Sequence, residues 1–215
     1  MLSITESKGD LSKALVLVTF LALILSSNQS YGQSYLETNY NQFKIPKIST
    51  PTVDWFNRHQ DAYTTTLIEN VEKYHLSREN FGREFRTQFY WGALNELAYV
   101  LSFFPNHPKA LMFFTTISRI INKPTLPLPY FQRALQHFPQ HAITHFQYGT
   151  YLVNIDKIEK GITALKHAIK IDSDFVKAHA ALAEAYYKNG NIKQAKNEEK
   201  KARELGYKGE IKDFS

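Results

Sequence analysis

From residue 74 to residue 209 the apolar and small side chains recur every thirty-four positions, and no insertion is needed to keep four windows in step: 74–107, 108–141, 142–175 and 176–209. The eighth position of the last three windows is small, as Thr115, Gly149 and Ala183, and the twentieth carries Ala93, Pro127, Gly161 and Ala195. The twenty-fourth carries Leu97, Phe131, Leu165 and Glu199, the twenty-seventh Val100, Ala134, Ala168 and Ala202, and proline returns at the thirty-second as Pro105 and Pro139. Each position has a physical task in a pair of antiparallel helices. Small residues at the eighth and twentieth let two backbones approach closely. Bulky residues one turn apart, such as Tyr148 with Leu152 and Leu182 with Tyr186, fill the space between the helices. Proline stops the second helix and turns the backbone into the next unit. One such pair cannot bury its apolar face alone, so the pattern predicts an all-α protein of stacked helix pairs, a superhelical solenoid of about four repeats.

The strings Tyr148-Gly149…Gly161…Leu165…Ala168 and Leu182-Ala183…Tyr186…Ala195…Ala202, with Phe131…Ala134…Pro139 in the window before, resemble the tetratricopeptide repeat. The first window matches only from Ala93 to Pro105 and has Phe81 where the small eighth residue belongs, so it is a degenerate copy. The segments 71–76 and 104–111 are also similar to small exported bacterial proteins of this family. The resemblance implies a right-handed superhelix (a TPR solenoid) whose first helices line a concave groove where peptides or partner helices dock. In the family's register the groove takes Lys109, Met112, Thr116, Arg119 and Ile120 from the second repeat and Ile143, Phe146, Thr150, Val153 and Asn154 from the third. From the fourth it takes Lys177, Ala180, Glu184, Tyr187 and Lys188. A subset of the family clamps a terminal carboxylate with Lys at the fifth position and Asn at the ninth. Here Met112 and Thr116, or Phe146 and Thr150, stand in those places, so that clamp is not expected. The mixed apolar and basic lining favours an amphipathic or acidic segment.

The array is expected to end at its fourth unit, leaving 210–215 as a tail. Glu199 stands where inner windows carry Leu or Phe, and its helix, KQAKNEEKKAREL, is polar nearly all round, as an outermost repeat must be. On the other side, residues 33–57 hold Pro46 and Pro51 among many Ser, Thr, Asn and Gln, and read as an extended polar arm. Residues 58–76 predict a capping helix with Tyr63, Leu67, Val71 and Tyr74 on one face, leading into a repeat domain over 77–209. Pro124, Pro127 and Pro129 forbid a helix through 122–129, which predicts a long loop inside the second repeat.

Residues 1–32 have a different character. Ala14 to Leu25 is an uncharged run of twelve residues, against the about twenty that span a bilayer. Lys8 and Lys13 precede it, and a small, polar stretch ending in Ser30-Tyr31-Gly32 follows. That order is the order of a secretory signal peptide, with cleavage expected after Gly32 and a periplasmic or secreted protein as the result. Glu6 and Asp10 dilute the basic head, which leaves an uncleaved membrane anchor as the other reading.

Composition narrows the chemistry further. There is no cysteine among the 215 residues, which excludes disulfides, thiolate metal sites and cysteine nucleophiles. No Gly-rich phosphate loop, dinucleotide fingerprint or Gly-x-Ser-x-Gly elbow occurs, so no cofactor is expected. His137, His141 and His145, four residues apart and near His107, have the spacing of ligands on one helical face, but Pro139 breaks the helix between the first two. Packing or surface histidines are expected there, and no metal. The acids Glu198-Glu199 and Asp172…Asp174 fall on faces and turns expected to be solvated, so no acid–base pair is assigned. Trp55, Trp91 and most other aromatics are assigned to the core.

Charge changes the picture at one place. The net charge is +6, with bases and acids interleaved over most of the sequence, yet Leu97 to Ile155 contains no Asp or Glu while holding Lys109, Arg119, Lys123, Arg133 and four histidines. The functional reading of this stretch is an anionic partner: an acidic peptide segment, a free carboxy terminus or an anionic envelope polymer. The other reading is chance scarcity of acids. Four bases between Leu97 and Ile155 make too thin a track for nucleic acid. The sequence thus points to an exported, non-enzymatic adaptor or scaffold that holds a protein or peptide, with membrane contact only through an uncleaved N-terminus. An accessory subunit or enzyme of envelope polysaccharide metabolism, or a membrane-tethered spacer, is the alternative.

Overall fold

Nine α-helices and no strand make up the described residues of the computed structural model, which are 52–77, 79 and 81–213. The segment 1–32 expected to be a signal peptide, the expected arm through residue 51 and the last two residues of the tail lie outside them. A 3-10 turn, Trp55–Asn57, precedes α1 (Ala62–His75), α2 (Phe81–Arg86) and α3 (Tyr90–Phe103). Three hairpins follow: α4 (Pro108–Ile120) with α5 (Leu128–His137), α6 (Ala142–Asn154) with α7 (Ile158–Ile171), and α8 (Val176–Lys188) with α9 (Ile192–Glu204). The architecture is an all-α solenoid. No helix among the described residues is long and apolar enough to cross a membrane.

The backbone repeats as the side chains do. It passes through the left-handed region at Gln88, Asn122, Asp156 and Gly190, with φ of 60°, 54°, 60° and 75°, each at the same place in its own window. Asn, Asp and Gly accept this conformation readily, whereas a Gln costs on the order of 1 kcal/mol. The corner at Gln88 keeps the period even though the first helix of that repeat has contracted to the six residues of α2. Leu97, Phe131 and Leu165, and below them Val100, Ala134, Ala168 and Ala202, are fully buried.

The two inner hairpins close differently. In the third repeat Gly149 and Gly161 bring α6 and α7 into backbone contact: a Cβ on either would lie 2.9 Å from the other's carbonyl oxygen. In the second repeat Pro127 precedes its helix in place of a small helical residue, and α4 and α5 scarcely meet. The rings of Phe114 and Tyr130, with centroids 4.5 Å apart, fill the gap. The prolines here correct the sequence reading in one respect. Helix α5 begins at Leu128 with Pro129 in its first turn, where the missing N–H has no helical partner to lose.

Helix α1 also differs from expectation. Its buried face is Thr64, Ile68 and Val71, while Tyr63 and Tyr74 are 74% and 55% exposed. Polar pairs fix the rotation. His75 Nδ1 meets Glu96 at 2.5 Å, and Glu72 reaches His107 at 2.9 Å, so the aromatic stripe is turned outward.

Before α1, residues 52–58 form a strap across the repeats. The Val53 N–H donates to Phe103 O at 2.9 Å. The buried Asp54 carboxylate accepts from Asn106 Nδ2 at 2.6 Å and lies 2.8 Å from His141 Nε2. Trp55 donates its backbone N–H to Asn106 Oδ1 at 2.9 Å and its indole N–H to Glu72 at 3.2 Å, with the Arg58 guanidinium over the ring. His107 is fully buried. Its Nδ1 accepts from Ala110 N at the start of α4, so its Nε2 donates to Glu72.

These contacts predict a pH dependence. The hydrogen bonds from His107, and then from Trp55, hold the Glu72 carboxyl below the usual carboxylate range despite partial burial. A lowered folded value means the stabilisation is present above the unfolded carboxylate pKa of about 4.3 and is lost as pH falls through the folded value. Thermal stability is expected to drop from about pH 5 downward, and Glu72→Gln to flatten that slope; equal slopes in both proteins would disprove the assignment.

Candidate functional site

Helices α4, α6 and α8 lie side by side, and two hollows open along them. The first, of about 210 Å³, lies between α4 and α6: Met112, Thr116 and Arg119 face Phe146, Thr150 and Asn154, with Phe131 and Tyr151 behind. The second, of about 650 Å³, runs on to the start of α8 and takes in Lys109, Met112, Ile143, Phe146, Phe175 and Lys177, with Asp172 and Asp174 at its edge. The wide α4–α5 hairpin explains the first hollow, whose floor is the buried Phe131 behind the two first helices. The hollow's far wall is fixed by Tyr151, whose hydroxyl donates to Pro124 O in the loop and whose phenol is pushed by burial up to about 12. Gln147 ties α6 to the start of α4 through Nε2 to Pro108 O at 2.8 Å.

The charges of the acid-free stretch divide by face. Arg133 donates to Leu101 O and Ser102 O, both at 3.1 Å, at the C-terminal end of α3, where the helix dipole favours a cation. Burial pulls its guanidinium pKa down. His107 and His141 take Glu72 and Asp54 from outside the stretch. His145 Nε2 bonds Pro139 O at 2.8 Å, and burial, with His167 stacked 5.5 Å away, pulls its pKa down. His179 makes the same contact one repeat later, to Ser173 O at 3.0 Å. His137 lies 3.4 Å from Thr52 Oγ1. The three imidazoles with metal-like spacing, and His107, thus have separate partners, and among the described residues no group of three could hold a metal. On the hollow side the picture is reversed. Among the described residues none of Lys109, Arg119 and Lys177 takes part in an ion pair.

Nine of the groove residues read from the sequence line these hollows: Lys109, Met112, Thr116, Arg119, Ile143, Phe146, Thr150, Asn154 and Lys177. Glu184, Tyr187 and Lys188 line neither. Lys188 donates to Val153 O and pairs with Asp156 at 2.6 Å, stitching α8 to the end of α6. Tyr187 is buried with its hydroxyl on Glu199, and Glu184 accepts the Lys212 N–H of the tail, whose Ile211 packs on the α8–α9 cluster. The tail therefore covers the end of the array that the sequence left bare. The acids expected to be solvated are engaged as well, Glu198 with His179 at 2.6 Å and Glu199 also with Arg203. Phe131, Gln147 and Tyr151 were missed, because the repeat register does not point them into the groove. The cluster of prolines that delays α5 is the signal that could have found them.

Residues 155–190 match the family model described as TPR repeat. Among solved structures, the MamA fragment "MamA 41-end" from Desulfovibrio magneticus RS-1 is similar with a TM-score of 0.50 and 24% identity, over 64% of this protein and 74% of that one. A further MamA crystal structure aligns at TM-score 0.48 and 19% identity, over 59% and 74% of the two proteins. YrrB, titled a TPR protein with an unusual peptide-binding site, aligns at TM-score 0.47 and 19% identity, over 59% and 65%. No curated protein matches the sequence.

Proposed function

We propose that this tetratricopeptide-repeat protein is a non-enzymatic interaction module that holds an acidic or amphipathic peptide segment in the hollows along α4, α6 and α8. One observation supports this most: Lys109, Arg119 and Lys177 stand without ion pairs, among the described residues, around the 49% exposed Met112 and the Phe146 ring, while Glu72 and Asp54 are engaged by histidines elsewhere. Solenoid folds use such concave surfaces for binding. Asp172 and Asp174 do not favour an enzyme: both are exposed, and the Asp172 carboxylate accepts the Asp174 backbone N–H in a turn. The leader-like segment 1–32 supports a periplasmic or secreted location.

The experiment is a pull-down from envelope extract with wild type, Met112→Glu and Lys109→Glu/Arg119→Glu baits, none of the altered residues being buried. A protein retained by wild type is expected to fall at least about tenfold in both variants, the effect of about 1.4 kcal/mol. Retention indifferent to both changes would move the site away from these helices, and capture of acidic polysaccharide alone would replace the peptide by a polymer.

A further inference from the structure

We infer that the hollow between α4 and α6 is an anchor pocket for one aromatic side chain with a hydrogen-bond donor at its tip, a tyrosine or tryptophan, carried by an acidic peptide. This rests on the groove reading above and narrows it to one subsite and one residue class.

Volume argues for a single ring. An apolar cavity of about 150 Å³ holds benzene, and this hollow, at about 210 Å³, takes a ring and its methylene with room for a polar tip. Phe146, Tyr151 and Met112 form the walls over the buried Phe131, which suits edge, face and thioether contacts with an aromatic guest.

Apolar walls alone would accept leucine equally well, and two polar atoms argue against it. Gln147 and Thr150 stand one turn apart on α6 and both line the hollow. Among the described residues, the Gln147 Oε1 and the Thr150 hydroxyl are buried without a hydrogen-bond partner. The Gln147 amide is oriented by its Nε2 bond to Pro108 O, so Oε1 is an acceptor still lacking a donor. Thr115, Thr116 and Thr163 return their hydroxyls to a carbonyl about one turn back, whereas on α6 Thr144 and Thr150 do not, and of these two only Thr150 lines the hollow. Buried polar groups of this kind are costly until paired. A phenol O–H or an indole N–H supplies one donor and so pairs the Gln147 acceptor, and the phenol oxygen can also accept from Thr150, whereas a phenyl ring or a leucine leaves both bare.

Charge complementarity sets the flanks. Arg119 lines the same hollow, has no ion pair among the described residues, and carries the planar fork that binds a carboxylate through two N–H groups. No acidic side chain among the described residues lines this hollow; Asp172 and Asp174 border only its neighbour. The residue next to the anchor is therefore Asp or Glu.

The test titrates the full-length protein with four end-blocked peptides, Asp-Glu-X-Glu-Ala, where X is Tyr, Trp, Phe or Leu, read by fluorescence anisotropy of an attached dye. Tyr or Trp is expected to bind at least about tenfold more tightly than Phe and Leu. Thr150→Val should shrink that preference to about twofold with the helical circular dichroism unchanged, and Arg119→Glu should weaken all four. Equal binding of Tyr and Phe, or of Leu and Tyr, overturns the anchor. A random dodecapeptide library selected on the same protein separates this failure from that of the groove reading. A consensus without Tyr or Trp whose binding is lost in Met112→Glu overturns the anchor alone. No retained peptide, or binding indifferent to Met112→Glu, overturns both.

Discussion

Valine at position 161 is expected to cost about 3 kcal/mol or more and to loosen the whole third repeat, and alanine there to cost about 1–2 kcal/mol. The sign is informative, because helix propensity alone favours Ala over Gly by about 1 kcal/mol. Crowding must therefore outweigh propensity. A Cβ at Gly161 would lie 2.5 Å from Val153 Cγ2 and 2.9 Å from the Gly149 carbonyl oxygen, and backbone cannot yield without parting α6 from α7. Gly149→Ala meets the mirror problem, 2.7 Å from Leu165 Cγ and 2.9 Å from the Gly161 carbonyl. Gly190→Ala serves as the contrast: nothing lies within 4 Å, so only its φ of 75° opposes the change, at about 1–2 kcal/mol. Urea midpoints with the transition slope measure the series. A Gly161→Ala protein more stable than wild type would refute the close approach.

Asp54→Ala is expected to remove about 3 kcal/mol, because it strips a buried carboxylate from the fully buried Asn106 and from His141. For a folded unit of this size that corresponds to a fall in Tm of about 6–12 °C. Asp54→Asn keeps the shape and one acceptor and should recover part of the loss. Amide exchange is expected to quicken first at the N-terminal turns of α4 and α6, which the strap crosses. A Tm unchanged within a degree would show that the strap adds nothing to the solenoid.

These two sites also show how far the sequence could be read. Gly149 and Gly161 were visible because the fixed period aligns each with its counterparts, and small size at both has one economical explanation. The same alignment found Leu97, Phe131 and Leu165 in the core, and the family's register named Met112, Thr116, Phe146 and Thr150, which line the first hollow. It could not find Asp54, which lies ahead of the repeats and whose partners are 52 and 87 residues away. The rotation of α1 escaped for the same reason, since Glu72 and His75 take their partners from later parts of the fold while Tyr63 and Tyr74 merely look like a buried stripe. Helical periodicity ranks faces by hydrophobicity, and here polar pairing decided. Glu184, Tyr187 and Lys188 followed the register but are taken up by the folded-back tail, by Glu199 and by the stitch to α6, contacts that the register does not encode. The first hollow escaped because it comes from a hairpin that fails to close, a departure from the repeat rather than an instance of it.

The strap has a mechanical consequence. Val53 and Asp54 are fastened to the end of α3 and to the corners that open α4 and α6. Tension applied ahead of Thr52 is therefore carried in shear into the second and third units, and α1 lies off the load line although it comes first among the described α-helices. A protein pulled from its N-terminal side would hold the walls of both hollows under strain while its leading helix stays slack.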